Sequence, residues 1–199
     1  MRLFWLHLRS RPIAEAGAGL AAIALTTWLL LSTTDGSFVM SMAIVVVPLV
    51  AAFIVDWSAR SPFGEGEFAV GSLLPWLRLG QLGIVLLMGV LALASANAAV
   101  AERDTTGEVV RNVAGYAGLA FIGRRVLGPT GAWALPLVVG FAAYMNAIRH
   151  PGDPGWWAWP IYAGGEVWAA LTALGLLAGG LIAIAREARG WFALAGSEK

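Results

Sequence analysis

The sequence predicts an all-α integral membrane protein with six transmembrane helices in a single domain of 199 residues. Hydrophobic residues make up 59% of the chain and charged residues only 13%, compared with about 45–50% and about 25% in soluble domains. The charged residues are also grouped, so that long uncharged runs lie between them. A soluble fold would need more surface polarity than this chain supplies, and a disordered chain would be more polar and poorer in aromatic residues.

Five uncharged runs have the length of a membrane span. They contain 19, 20, 23, 23 and 19 residues and occupy residues 16–34, 36–55, 79–101, 126–148 and 167–185. About 20 apolar residues cross a hydrocarbon core about 30 Å thick as a helix. Because five such runs cannot all be covered within a soluble chain of this size, we interpret them as spans.

A sixth span is predicted between Arg111 and Arg124, which enclose only 12 uncharged residues. A helix of that length is about 18 Å long, so it crosses the membrane only if the flanking arginines reach outward to the headgroups. The positive-inside rule decides between the two topologies. Six spans with a cytoplasmic N-terminus place 10 Lys and Arg residues inside and 3 outside, whereas five spans place 6 inside and 7 outside.

The predicted spans are residues 13–31, 38–55, 79–101, 109–127, 131–148 and 164–185, with both termini in the cytoplasm. Residues 1–12 are predicted to form a short amphipathic helix on the inner leaflet, because Leu3, Phe4, Leu6 and Leu8 lie there beside three arginines. At the outer side, Trp156, Trp157 and Trp159 are interpreted mainly as headgroup anchors. The alternative is a re-entrant or interfacial helix that guards an exit.

Five polar residues within or beside the spans are candidate functional residues, because an ionisable group inside a membrane is costly. They are Glu15, Asn97, Arg111, Asn146 and Glu166. The three charged ones lie close to a predicted membrane surface, where a long side chain can reach water. We therefore interpret those three primarily as interfacial anchors.

Two further patterns concern the shape and packing of the helices. Pro48 and Pro136 are predicted to lie in the middle of spans, where each would remove a backbone hydrogen bond and kink its helix. Gly175, Gly179 and Ala183 recur every four residues and predict a seam for close helix packing. We expect this seam to lie within the chain rather than between two copies of it.

The residues that catalysis usually requires are few, so we expect no enzyme activity in this chain. It has no cysteine, and its only lysine is the C-terminal Lys199, which excludes a phosphate-binding loop. The two histidines, His7 and His150, are predicted on opposite sides of the membrane, so we expect no metal site. A net charge of +1 gives no reason to expect a nucleic-acid partner, while membrane lipid is the expected surrounding.

The predicted cytoplasmic loop at residues 56–78 combines charges of both signs with two phenylalanines, Phe63 and Phe68. These rings would either dip into the lipid interface or fill a pocket on a cytoplasmic partner. Composition alone leaves both interpretations open.

The chain resembles a compact membrane subunit of the ABC-2 type of ABC transporter, as found in GC-rich bacteria. The resemblance rests on the six-span layout and the amphipathic N-terminal helix. It also rests on three stretches of sequence, which are residues 58–65, residues 111–119 and the passage from Arg124-Arg125 to residues 133–136.

The resemblance implies a permease subunit of an ATP-driven exporter in the bacterial inner membrane. Such a subunit works as a homodimer or heterodimer, with a pathway lined from spans one, two and five, and ATP and magnesium bind to separately encoded ATPase subunits. The ATPase would dock under the N-terminal helix and on the 56–78 loop, where the implied contact residues are Arg60, Phe63, Glu65, Glu67 and Phe68.

Other functions remain open at the level of the sequence. A secondary transporter or channel that works without an ATPase would use a buried ionisable pair, for which Glu15 with Arg124 or Arg125 is the candidate. A non-transporting scaffold or immunity-type membrane protein, and an enzyme, are further alternatives.

Overall fold

The computed structural model describes residues 12–34, 37–59, 74–100, 105–150, 155, 157–163 and 165–195. In these ranges the chain forms six α-helices and a short 3₁₀-helix at Trp159–Ile161, and no strand. The helices are α1 (Ile13–Thr33), α2 (Ser37–Ser58), α3 (Leu74–Ala98), α4 (Thr106–Leu127), α5 (Ala134–Arg149) and α6 (Val167–Ala195). The predicted all-α class is confirmed, and each helix coincides with one predicted span. The predicted amphipathic helix lies outside the described residues apart from Pro12.

Helix α4 lies at the centre of the bundle. It packs against α2, α3, α5 and α6, whereas α1 packs against α2 and α3. Thirteen of the 22 residues of α4 are buried, compared with three of the 21 residues of α1. Yet α4 is the least apolar of the six helices. A helix that carries polar side chains is accommodated best where other helices, rather than lipid, surround it.

This position changes the interpretation of the fourth segment. The sequence predicted that Arg111 and Arg124 would reach outward to compensate for a short uncharged run. Instead, both side chains are directed into the protein, where they are 6% and 9% exposed. Because neighbouring helices cover α4, its uncharged length need not match the thickness of a hydrocarbon core.

Helices α4 and α6 approach each other very closely. A Cβ atom on Gly118 would overlap the main chain of Leu176, and a Cβ on Gly180 would lie 2.6 Å from the carbonyl oxygen of Gly118. Only glycine allows the two backbones to come this close.

The seam predicted from Gly175, Gly179 and Ala183 is therefore displaced by one residue, to Gly180. Gly175 is exposed, and open space surrounds the position of its missing Cβ. A Cβ on Gly179 would meet only the end of Ile122, at 3.9 Å. Ala183 is half-buried. Spacing along the helix identified small residues correctly, but it could not identify which of them faces α4.

The proline predictions have different outcomes. Pro48 lies inside α2, as predicted. Pro136 is the third residue of α5, so the prediction that it lies in mid-span is wrong. The first N–H groups of a helix have no partner within the helix, and a proline there removes no hydrogen bond.

Large apolar side chains cover much of the outer surface. Examples are Leu25, Leu87, Leu91, Phe141 and Trp168, which are 57%, 58%, 60%, 63% and 79% exposed. Among the described helices, Ile13–Thr33, Trp76–Ala98 and Val167–Arg186 are long and apolar enough to cross a membrane, and Ala43–Ser58 and Ala134–Arg149 are shorter apolar helices. An apolar surface of this extent favours contact with lipid over contact with water.

Candidate functional site

Most of the buried polar side chains in the described residues form two groups near the two ends of α4. We call Asp56, Ser58, Gln81 and Arg124 the inner cluster, after its predicted orientation. Arg111 and Asn112 form the outer cluster together with residues 158–163, which we call the strap. These two clusters are the candidate functional site.

The inner cluster is centred on a buried ion pair between α2 and α4. The Nε of Arg124 lies 2.8 Å from Oδ1 of Asp56, and the two side chains are 9% and 6% exposed. The Nη2 of Arg124 also donates a hydrogen bond to the main-chain oxygen of Asp56, at 2.6 Å. One guanidinium group therefore holds both the side chain and the backbone of Asp56.

The inner cluster also satisfies the C-terminal end of α2. The last carbonyl groups of a helix have no partner within it, and burial makes an unpaired carbonyl costly. The carbonyl of Asp56 accepts from Arg124, and that of Ser58 accepts from Nε2 of Gln81 at 2.6 Å. The hydroxyl of Ser58 donates to the carbonyl of Val55 at 2.7 Å. The end of α2 is thereby attached to α4 and α3 together.

This pairing differs from the one that the sequence suggested for a secondary transporter. Glu15 is exposed, and Arg124 pairs with Asp56 instead. Arg125 is exposed as well. Adjacent residues on a helix point about 100° apart, so only one of the two arginines faces the interior.

In the outer cluster, Arg111 binds the strap through its main-chain oxygens. Its Nη1 lies 3.1 Å from the carbonyl oxygen of Ala163, and its Nη2 lies 2.7 Å from that of Tyr162 and 3.4 Å from that of Pro160. Its Nε donates to Oδ1 of Asn112 at 3.2 Å. Arg111 is thus an interior side chain that fixes the strap, which replaces our interpretation of it as an interfacial anchor.

Asn112 extends this contact to α2. It is fully buried, and its Nδ2 donates to the carbonyl oxygen of Ile44 at 2.8 Å and to that of Pro160 at 2.7 Å. Asn112 is not among the candidate residues predicted from the sequence. Its position beside Arg111, in the least apolar helix, was the available signal.

An aromatic contact completes the outer cluster. The rings of Trp159 and Tyr116 have centroids 5.3 Å apart, and the side chain of Trp159 is 2% exposed. A Cβ on Gly115 would overlap the Trp159 ring, so glycine is required beneath it. The interpretation of Trp159 as a headgroup anchor is therefore wrong, because this ring fills the interior. Trp157 is 39% exposed, and Trp156 lies outside the described residues.

The remaining predicted residues lie apart from both clusters. Asn97 is buried and donates from Nδ2 to Oγ1 of Thr105 at 2.8 Å, which fastens the end of α3 to the start of α4. Glu166 is exposed. Asn146 is half-buried and lines an open groove of about 400 Å³ together with Phe141, Ala142, Met145, Arg149, His150 and Trp157.

The predicted ATPase contacts Arg60, Phe63, Glu65, Glu67 and Phe68 lie outside the described residues. Among the residues that are described, no three His, Asp or Glu side chains are grouped so that they could hold a metal ion. The arrangement of both clusters is that of groups that fasten helices to one another.

Inward-facing polar groups inside an apolar helical bundle are consistent with a helical membrane protein. Comparison with known proteins finds no matching family model, no similar curated protein and no similar solved structure.

Proposed function

We propose that the protein is the permease subunit of an ATP-driven exporter of the ABC-2 type, with six spans in the bacterial inner membrane and both termini in the cytoplasm. It works as a dimer, and separately encoded ATPase subunits dock on its first cytoplasmic loop. The sequence resemblance suggests this function. The structural observation that chiefly supports it is the inner cluster at the base of the loop.

The inner cluster lies where a force on the loop would enter the bundle. Asp56 and Ser58 are in the last turn of α2, directly before residue 60, and Gln81 lies about two turns after the start of α3. The two sides of the loop are therefore joined at one place, because Gln81 of α3 bonds to Ser58 of α2 and Arg124 attaches the same end of α2 to α4. An ATPase that pushed on the loop would displace α2, α3 and α4 together.

The surface of the bundle also supports a membrane-spanning unit. Exposed large apolar side chains occur on all six helices, while the buried charged pair lies inside. In this arrangement, ATP-driven closure of the ATPase subunits would tilt α2, α3 and α4 together against the other helices and alternate the pathway between inward-open and outward-open states.

Co-purification with the ATPase encoded beside this gene tests the proposal. We expect the two proteins to remain associated in detergent, and the double variant Phe63→Asp/Glu65→Arg to lose the ATPase. The control is Thr130→Arg, which changes the net charge by the same +1 at an exposed position on the same predicted side. Absence of association, or equal loss in the control, would contradict the proposal.

Reporter fusions test the topology separately. A reporter placed after Glu65 is expected in the cytoplasm, and one placed after Arg103 is expected outside. A reporter at Glu65 that is active only in the exterior compartment would refute the proposed orientation, and with it the docking of a cytoplasmic ATPase on this loop.

A further inference from the structure

Helix α2 has a break in its hydrogen bonding at Pro48. In an α-helix the N–H of residue 48 donates to the carbonyl of residue 44, and proline has no N–H to donate. The carbonyl oxygen of Ile44 instead accepts a hydrogen bond from Nδ2 of Asn112, at 2.8 Å. A side chain of α4 thus replaces the bond that α2 lacks.

The same amide group holds the strap. An amide nitrogen carries two hydrogens, and Nδ2 of Asn112 has two acceptors, the carbonyl oxygens of Ile44 and Pro160. Because Asn112 is fully buried, water cannot take the place of either bond while the helices stay packed. One side chain therefore joins the break in α2 to the strap.

The hydroxyl group of Tyr116 is an unfavourable feature beside the strap. Tyr116 is fully buried, and its oxygen has no hydrogen-bond partner among the residues that the structure describes. Its ring lies against Trp159 of the strap. A buried hydroxyl without a partner costs free energy, and this oxygen lies beside α5, 3.0 Å from the position of a Cβ on Gly140. The packing of Tyr116 against the strap therefore includes one polar group that is not satisfied.

We propose that Asn112 is a positioning residue that couples two movements, the bending of α2 at Pro48 and the opening of the strap. When Asn112 releases the carbonyl of Ile44, it also loosens its hold on Pro160, so that the two elements move as one unit. The proposal goes beyond the proposed function and does not depend on the ATPase partner.

Hydrogen exchange of the purified full-length protein in detergent tests this coupling. The four forms to compare are the natural protein, Asn112→Leu, Pro48→Ala and the double variant. In the strap, the amides of Ala158, Ile161 and Tyr162 are hydrogen-bonded and report its opening. Amides of residues 45–52 report the loosening of α2.

In Asn112→Leu we expect exchange about tenfold faster in both the strap and α2, the factor that corresponds to the loss of one buried hydrogen bond. In the double variant, the N–H of residue 48 donates to the carbonyl of Ile44. The exchange rate in α2 should then return to within about twofold of that in the natural protein, while exchange in the strap stays fast. The effects of the two substitutions on α2 are therefore not additive, as expected of coupled sites.

Two results would overturn the proposal. If Asn112→Leu accelerates exchange in the strap but not in α2, the two elements are not coupled through this residue. If it accelerates neither, Asn112 does not hold them.

Thr26→Leu is the matched control, because Thr26 is exposed and bonds only within its own helix. If Asn112→Leu is not monodisperse, Asn112→Asp keeps the side-chain volume while it removes the donor, and the same outcomes apply.

Discussion

The inner cluster gives the strongest expectation about stability. In Arg124→Met, the carboxylate of Asp56 stays buried without the guanidinium group that lies 2.8 Å away in the natural protein. The main-chain oxygen of Asp56 loses its donor as well. Breaking one partner of a buried ion pair costs about 3–5 kcal/mol, far more than the loss of an exposed pair.

This cost can be expressed as a change in melting temperature. For a chain of this length, 1 kcal/mol corresponds to about 2–4 °C, so the expected decrease is about 6–20 °C. The chain contains 10 tryptophans, and their fluorescence in detergent micelles reports unfolding. The double variant Asp56→Leu/Arg124→Met removes both charges and should lose less than half as much, because apolar side chains can replace a buried pair at little cost.

The neighbouring arginine provides the control. Arg125→Met is the same substitution one residue further along α4, at an exposed position, and should change the melting temperature by no more than about 2 °C. The reasoning is refuted if Arg124→Met is no more destabilising than Arg125→Met. It is also refuted if the decrease in melting temperature of the double variant equals the sum of the decreases in Arg124→Met and Asp56→Leu, since the two side chains would then not interact.

Three further predictions concern packing, an unpaired hydroxyl and the lipid-facing surface. Gly118→Ala should lower stability by about 1–3 kcal/mol, because its methyl group would overlap α6. Gly175→Ala, in open space, should leave stability unchanged or raise it by up to about 1 kcal/mol. Equal melting temperatures for the two variants would contradict the close contact between α4 and α6. Tyr116→Phe should raise stability by about 1 kcal/mol, since it removes a buried hydroxyl without a partner. Tyr144→Phe, at a half-buried position, should change stability by less than about 0.5 kcal/mol. A decrease in stability for Tyr116→Phe would show that the hydroxyl has a hydrogen-bond partner. Leu87→Arg, on the exposed face of α3, should make the free energy of membrane insertion about 3 kcal/mol less favourable. A smaller fraction of the chain should then remain in carbonate-washed membranes. Unchanged retention would argue against lipid contact at this face.

The two clusters attach α2 to α4 at two places. Near its middle, α2 is bonded to α4 through Asn112, and at its end it is bonded to α4 through Arg124. Between these points it has no backbone hydrogen bond at Pro48. Under the proposed coupling, α2 bends at Pro48, between its two attachments to α4.

Some features of the protein followed from the sequence alone. The long uncharged runs located five of the six helices, because charged side chains are costly against lipid, and the distribution of Lys and Arg residues favoured the sixth. Pro48 was placed correctly inside a helix for a local reason, since a proline affects the same turn in any tertiary arrangement. These properties depend only on neighbours in the chain.

The tertiary structure decided which face of each helix is covered. Hydropathy does not distinguish lipid from the side of another helix, because both are apolar, and the sequence therefore placed Arg111 and Trp159 at the membrane surface. In the structure both lie inside. Arg111 donates to carbonyl oxygens of the strap, and the ring of Trp159 occupies the space next to Gly115. The partner of Arg124 was likewise fixed by packing. Asp56 is 68 residues away in sequence, and only the contact between α2 and α4 brings the two charges together.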